Sequence, residues 1–80
     1  MIVKAKGNEI ELSTANTVDN AAVVRIYNAN TNNDAVITND TANTSFTLPA
    51  GAITFVQKSF DDTLSADVTV KAVSVAYNIS

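Results

Sequence analysis

The sequence predicts an all-β fold: a small single-domain antiparallel β-sandwich or barrel of about seven to eight strands. Three observations carry this. Short runs rich in Val, Ile, Thr, Tyr and Phe recur along the 80 residues, with polar clusters between them. Asn and Thr, ten of each, make up a quarter of the chain; Thr suits strands, and Asn must supply most bends because Gly occurs twice and Pro once. No segment shows a sustained helical period.

The stretch Thr44-Ser45-Phe46-Thr47-Leu48-Pro49-Ala50-Gly51-Ala52-Ile53-Thr54-Phe55-Val56-Gln57-Lys58 reads as a central hairpin. Pro49 presets φ for the first turn position and Gly51 can take a left-handed conformation. Phe46, Leu48, Ile53 and Phe55 are expected to point into the core, with Thr47 and Thr54 pointing away. All three phenylalanines fall in or just after this stretch, Phe60 being the last, and aromatic side chains bury the most apolar area.

At the start of the chain, Lys4-Ala5-Lys6-Gly7-Asn8-Glu9-Ile10-Glu11 carries a two-residue hairpin signal. With Gly7-Asn8 as the loop, Lys6 would face Glu9, Ala5 would face Ile10, Lys4 would face Glu11 and Val3 would face Leu12. Residues 13–20 are polar and aperiodic, a loop or a crossover to another sheet. Val23-Val24-Arg25-Ile26-Tyr27 reads as a strand with Val24 and Ile26 inward and Arg25 and Tyr27 outward. The polar segment 28–34 reads as a surface hairpin loop, after which Ala35-Val36-Ile37-Thr38 can fold back on the preceding strand. Oxygen-bearing side chains alternate in that segment as in a calcium loop, but Asn33 and Asn39 stand where Gly and Glu are required. Residues 39–43 form a turn. Asp61 and Asp62 are adjacent, so on a strand they would point to opposite faces, and an acidic turn is the better reading. From Val68 the chain is almost purely β. Its apolar phase slips near Lys71-Ala72, which implies a β-bulge or burial first on one face and then on the other.

Composition bounds the function. Eighty residues make one domain that buries only about 60–65% of its unfolded surface, marginal without association. No cysteine and no histidine removes disulfides, Cys/His zinc sites, the usual general base and the best nucleophile. Gly7 and Gly51 stand alone, so no glycine-rich loop can cradle a phosphate. No enzyme activity and no cofactor is expected. A net charge of −3 with five scattered cations argues against nucleic acid as a partner. The apolar runs are far shorter than the ~20 residues that span a bilayer, so no membrane partner is expected. The first residues lack the apolar region of a signal peptide, which points to synthesis in a cytoplasm and makes the sequons at Asn39 and Asn78 incidental. The Asn/Thr richness reads as solvated turns and strand faces, with an ice-binding or glycan-binding face as the alternative.

The order of features over residues 22–79 resembles a group of small virion proteins of tailed phages, marine and cyanobacterial ones especially, which are similar to capsid decoration proteins. The likeness rests on Val23-Val24-Arg25-Ile26-Tyr27-Asn28, then Ala35-Val36-Ile37-Thr38, Ser45-Phe46-Thr47-Leu48-Pro49-Ala50-Gly51, Ile53-Thr54-Phe55-Val56-Gln57-Lys58, Asp61-Asp62-Thr63-Leu64 and Val73-Ser74-Val75-Ala76-Tyr77. Its most specific part runs from Thr47 to Thr63. The resemblance implies a cement protein on the capsid exterior, made in a host bacterial cytoplasm. Its partners would be the major capsid protein and, where such proteins trimerise at three-fold positions, two further copies in a homotrimer; others of the group sit singly or at hexamer centres. A tail, fibre or head-completion component is the alternative within the virion, and a small glycan or protein recognition module the alternative outside it. The resemblance carries no contact motif. As polar-tipped or aromatic residues on strands, Arg25, Tyr27, Lys58 and Tyr77 are the candidate interface residues. The N-terminal hairpin is the expected open sheet edge.

Overall fold

The structure, a computed structural model, describes residues 2–78, with side chains described from Ala5 to Val75. Eight strands form: β1 (Ile2–Ala5), β2 (Ile10–Leu12), β3 (Val23–Tyr27), β4 (Ala35–Asn39), β5 (Thr44–Leu48), β6 (Ile53–Gln57), β7 (Leu64–Ala66) and β8 (Val70–Asn78). They make two antiparallel sheets, a small β-sandwich as the sequence predicts. One has five strands in the order β1-β8-β3-β6, with β2 also on β8; the other has three in the order β5-β4-β7.

The nine-residue β8 is the spine of the larger sheet. β3 lies along one side of it, from Val24↔Ser74 to Tyr27↔Lys71. β1 and β2 follow one another along the other side, β1 ending at Ala5↔Val75 and β2 starting at Ile10↔Ala72. This replaces the expected N-terminal hairpin. Residues 6–9 bulge opposite residues 73 and 74, and the Lys6 backbone N–H still donates to Ser74 O at 2.7 Å. A two-stranded ribbon alone is barely stable in water, whereas β8 gives both segments a ladder and places Leu12 in the core. The charges re-pair accordingly: Glu11 stands opposite Lys71 and Glu9 meets Arg25.

β8 itself is unbroken through Lys71-Ala72. Val70 and Ala72 face the inter-sheet core, while Val73 and Val75 are buried on the other face. The phase slip is therefore a change of buried face, and the bulge lies on the partner chain segment.

Neither expected hairpin between residues 23 and 58 forms within one sheet. β3 and β4 belong to different sheets, as do β5 and β6; β3 instead pairs with β6, and β4 with β5 and β7. Residues 28–34 and 49–52 are thus crossovers between sheets. Residues 39–43 do turn the chain, from β4 into β5, with Asn39 Oδ1 accepting from the backbone N–H groups of Thr41 (3.1 Å) and Ala42 (2.9 Å).

Both crossovers are held by Asn28, which is wholly buried. Its Nδ2 donates to Asn33 O (2.8 Å) and Leu48 O (3.0 Å). Its Oδ1 accepts from the backbone N–H (3.1 Å) and the Nδ2 (2.7 Å) of Asn30. Its backbone N–H donates to Ala52 O (3.0 Å) and its carbonyl accepts from Gly51 N–H (2.7 Å). Every hydrogen-bonding position of a buried side-chain amide is filled, as a low-dielectric site requires. Gly51, at φ +78°, supplies the left-handed turn that the sequence assigns to it.

The core is aliphatic and thin: Leu12, Val18, Val24, Ile26, Ile37, Leu48, Leu64 and Val70, with Ala21, Ala35, Ala66 and Ala72 between them. Val18 reaches it from an unusual backbone. Val18, Asp19 and Asn20 have φ of 52°, 58° and 53°, conformations costing roughly 1–2 kcal/mol per non-glycine residue. Burial of the Val18 side chain and a Val18 N–H bond to Asn16 Oδ1 (2.7 Å) hold the turn in place.

The phenylalanines are not in that core, contrary to the sequence reading. Phe46, Phe55 and Phe60 are 39%, 37% and 66% exposed, and Ile53 is 51% exposed. Register explains β6: Val24 and Ile26 face inward, and their partners are Val56 and Thr54. Ile53 and Phe55, one residue out of step, must therefore face outward. Phe46 does point inward, opposite Ile37, but it stands on an edge strand where the sandwich is open.

Candidate interaction surface

The outer face of the five-stranded sheet gathers two of the four sequence candidates. Along β3, Arg25 stands between Phe55 of β6 and Val73 of β8; Tyr27 stands between Ile53 and Lys71. Alternation places these side chains on the solvent side, because Val24 and Ile26 occupy the core side of the same strand. The bulge at residues 6–9 brings Glu9 over the sheet, where its Oε2 accepts from Arg25 Nη1 at 3.4 Å. The two side chains are 31% and 41% exposed, so this ion pair contributes at most about 1 kcal/mol. Its main effect is to fix the Arg25 guanidinium above the sheet.

Between the bulge and β6 lies a shallow depression of about 520 Å³, lined by Ala5, Gly7, Glu9, Arg25, Phe55, Val73 and Val75. Gly7 keeps this rim close to the 17–21 turn. A Cβ there would stand 2.8 Å from Asp19 Oδ2. The face therefore offers an apolar floor, an aromatic ring and one ion pair. Groups of this kind hold a partner by burial and by orientation.

Lys58 and Tyr77 do not join this constellation. Lys58 follows β6 and is only 7% exposed, with Nζ donating to Ser59 O (3.3 Å) and Phe60 O (3.4 Å). Burial lowers its pKa below the ordinary 10.5, opposed by the negative charges of Asp62 and then Asp61. The backbone of Tyr77 pairs with Val3 in the sheet, and its side chain lies outside the described residues. Asp62 acts in the acidic turn that the sequence predicts, its Oδ2 accepting from Asn39 Nδ2 (3.2 Å) and Ser59 N–H (3.3 Å).

The residues that sequence reasoning missed are Phe46, Ile53 and Phe55. Their hydrophobicity assigned them to the core; only the register of β6 against β3, and the edge position of β5, reveal them as surface. No group of three or more His, Cys, Asp or Glu that could hold a metal ion occurs among the described residues. Comparisons with protein-family models, curated proteins and solved structures return no match.

Proposed function

We propose that this chain is a virion structural protein, a capsid decoration or cement protein that binds the major capsid protein on the outside of a phage head. One observation carries the reading: all three phenylalanines and Ile53 are left exposed in a chain whose core is thin and rich in alanine. A module of this size, with no disulfide, gains stability by mass action when it binds a shell. The feature order over residues 22–79 that resembles small phage virion proteins supports the same reading. Arg25 and Tyr27 are the contact residues best placed for it, beside Phe55 and Ile53.

The test is co-sedimentation of the purified chain with tailed-phage heads assembled from major capsid protein. Saturable binding, in whole-number proportion to shell sites, with heads that withstand higher temperature, is the expected result. Absence of binding to heads, with the chain found on tails or on immobilised glycans, overturns it in favour of a tail component or a recognition module.

A further inference from the structure

We infer that β5 is a self-pairing edge: two copies of this chain associate about a two-fold axis at Phe46, joining their three-stranded sheets edge to edge. β5 ends the order β5-β4-β7, and among the described residues it is bonded to β4 alone. The direction of its backbone groups follows from β4. Val36 N–H donates to Asp67 Oδ1 (2.7 Å), Val36 O accepts from Asp67 N–H (3.3 Å), and Asp40 N–H donates to Thr63 O (2.9 Å). The even-numbered residues of β4 thus turn their backbone groups towards β7, and Ala35, Ile37 and Asn39 turn theirs towards β5. Opposite these three stand Leu48, Phe46 and Thr44, whose backbones are bonded into the sheet. Ser45 and Thr47 are left with N–H and C=O directed away from it, and no hydrogen bond among the described residues takes them up.

Sheet edges invite pairing, and proteins blunt them with charges, bulges or very short strands. This chain does so at two other margins. The β1–β2 margin carries Lys4, Lys6, Glu9 and Glu11 together with its bulge, and β7 has three residues and is followed by Asp67. β5 has five residues, pairs with β4 without a bulge and lies within residues 41–57, which contain no charged side chain. Pro49, which lacks an N–H, follows Leu48 and confines the open edge to β5 itself.

This edge is complementary to itself. Antiparallel pairing about Phe46 sets Ser45 against Thr47 of the other copy and Thr44 against Leu48. Ser45 and Thr47 are the residues whose backbones face outward, so they exchange N–H···O bonds in both directions, and every outward group of the two is satisfied on both copies. Phe46, whose backbone is spent on Ile37, falls at a non-hydrogen-bonded pair, where Cα atoms stand about 4.5 Å apart and side chains lie closest. Its ring points inward at the open flank of the sandwich and is 39% exposed, so on the axis the two rings cover one another. Charge selects the occupant. Two copies, each at −3, repel where their acidic surfaces meet, whereas β5 meets β5 with no like charges opposed. A charged foreign strand would find no ion pair there. One strand per copy is a small contact, so the dimer is a weak one. This inference does not rest on capsid binding.

The experiment combines mass and register. Sedimentation equilibrium of the full chain, from micromolar to near-millimolar concentration, is expected to show a monomer–dimer equilibrium. Thr47→Pro removes an N–H that the monomer does not use, so it is expected to weaken association at least tenfold while circular dichroism shows the same β content. If Thr47→Pro does not fold, a charge pair at the exposed positions 45 and 47 serves instead. Ser45→Glu with Thr47→Glu opposes like charges and weakens association; Ser45→Lys with Thr47→Glu opposes unlike charges and restores it. The chain has no cysteine, so Phe46→Cys is expected to form a disulfide dimer under mild oxidation. Thr44→Cys is expected not to, because the two-fold displaces its copies by four residues, about 13 Å, beyond disulfide reach. A wild-type chain that stays monomeric throughout overturns the inference. So does a trimer, or equal cross-linking of the two cysteine variants.

Discussion

Asn28 is the residue whose loss should do most damage for its size. Asn28→Ala removes two donors and an acceptor from a site with no exposure. The Leu48 carbonyl is left without its donor in a buried place, at a cost of about 1–3 kcal/mol. The Asn33 carbonyl and the two Asn30 donors are only partly buried, so water can replace those bonds at roughly 0.5 kcal/mol each. The expected total is about 3 kcal/mol, against about 4–12 kcal/mol of total stability for a chain of this length. Urea titration followed by far-ultraviolet circular dichroism should show the midpoint fall with the slope unchanged, and Tm should drop by about 12–24 °C. Asn30→Ala is the internal comparison. It removes one bond to Asn28 and one to the Thr69 carbonyl but leaves the backbone bond to Asn28 Oδ1, so about 1 kcal/mol is expected. Asn28→Asp adds a signature in pH. A buried carboxylate titrates above its unfolded value, so the variant's stability relative to wild type should decline as pH rises from about 4 towards 7. A loss below about 1 kcal/mol for Asn28→Ala, or an equal loss for Asn30→Ala, would refute the view that one amide ties the two crossovers.

Three further outcomes follow from other parts of the chain. Lys58 has a folded pKa below its unfolded one, so the unfolded state binds more protons between the two values. Wild-type stability should therefore rise with pH as the folded Lys58 deprotonates and stop rising near 10.5, and Lys58→Met should lose that increment, as read by the difference between their denaturation midpoints at neutral and alkaline pH. Gly51→Ala meets no atom within 4 Å, so only its left-handed φ is penalised; about 1 kcal/mol of destabilisation is expected by thermal melting, with Gly51→Asn losing less. Phe60→Ser should change stability by less than about 1 kcal/mol, while Ile37→Ala should cost about 2–5 kcal/mol by denaturant titration; the reverse order would mean that the core is misassigned.

Much of the fold was legible because strand alternation has a fixed period. Val24 and Ile26 inward with Arg25 and Tyr27 outward follows from spacing alone, and so do the turn at residues 39–43 and the left-handed Gly51. What alternation cannot supply is which strand lies beside which. Lys4-Ala5-Lys6-Gly7-Asn8-Glu9-Ile10-Glu11 satisfies every local requirement of a hairpin, yet β8 offers both halves a longer ladder, and that competitor lies sixty residues away. The same holds for β5 and β6. Their turn chemistry is right for a hairpin, and the bonds from Gly51 and Ala52 to the Asn28 backbone direct the turn between sheets instead. The candidate surface was half legible for this reason: Arg25 and Tyr27 could be read from one strand, whereas Phe55 and Ile53 required knowing that Val56 lies opposite Val24.

The exposed phenylalanines have a physical cause in the core they leave behind. Alanines 21, 35, 66 and 72 are interleaved with the larger aliphatic residues between the two sheets. The space between is filled by Leu, Ile and Val, and a phenyl ring pointing inward from mid-strand would overpack it. Phe46 fits on the inner face only because β5 is an edge. Large apolar groups that the core cannot accept would ordinarily be selected against in an 80-residue soluble surface, since each raises the risk of non-specific association. Here they fall on β5, β6 and the loop beyond β6, the first two within the one long segment that carries no charge. Two separate properties, hydrophobic side chains and the absence of charge, thus coincide on the side of the sandwich bordered by β5 and β6, each the last strand of its sheet order. That coincidence is what an interface requires and a merely tolerated surface does not.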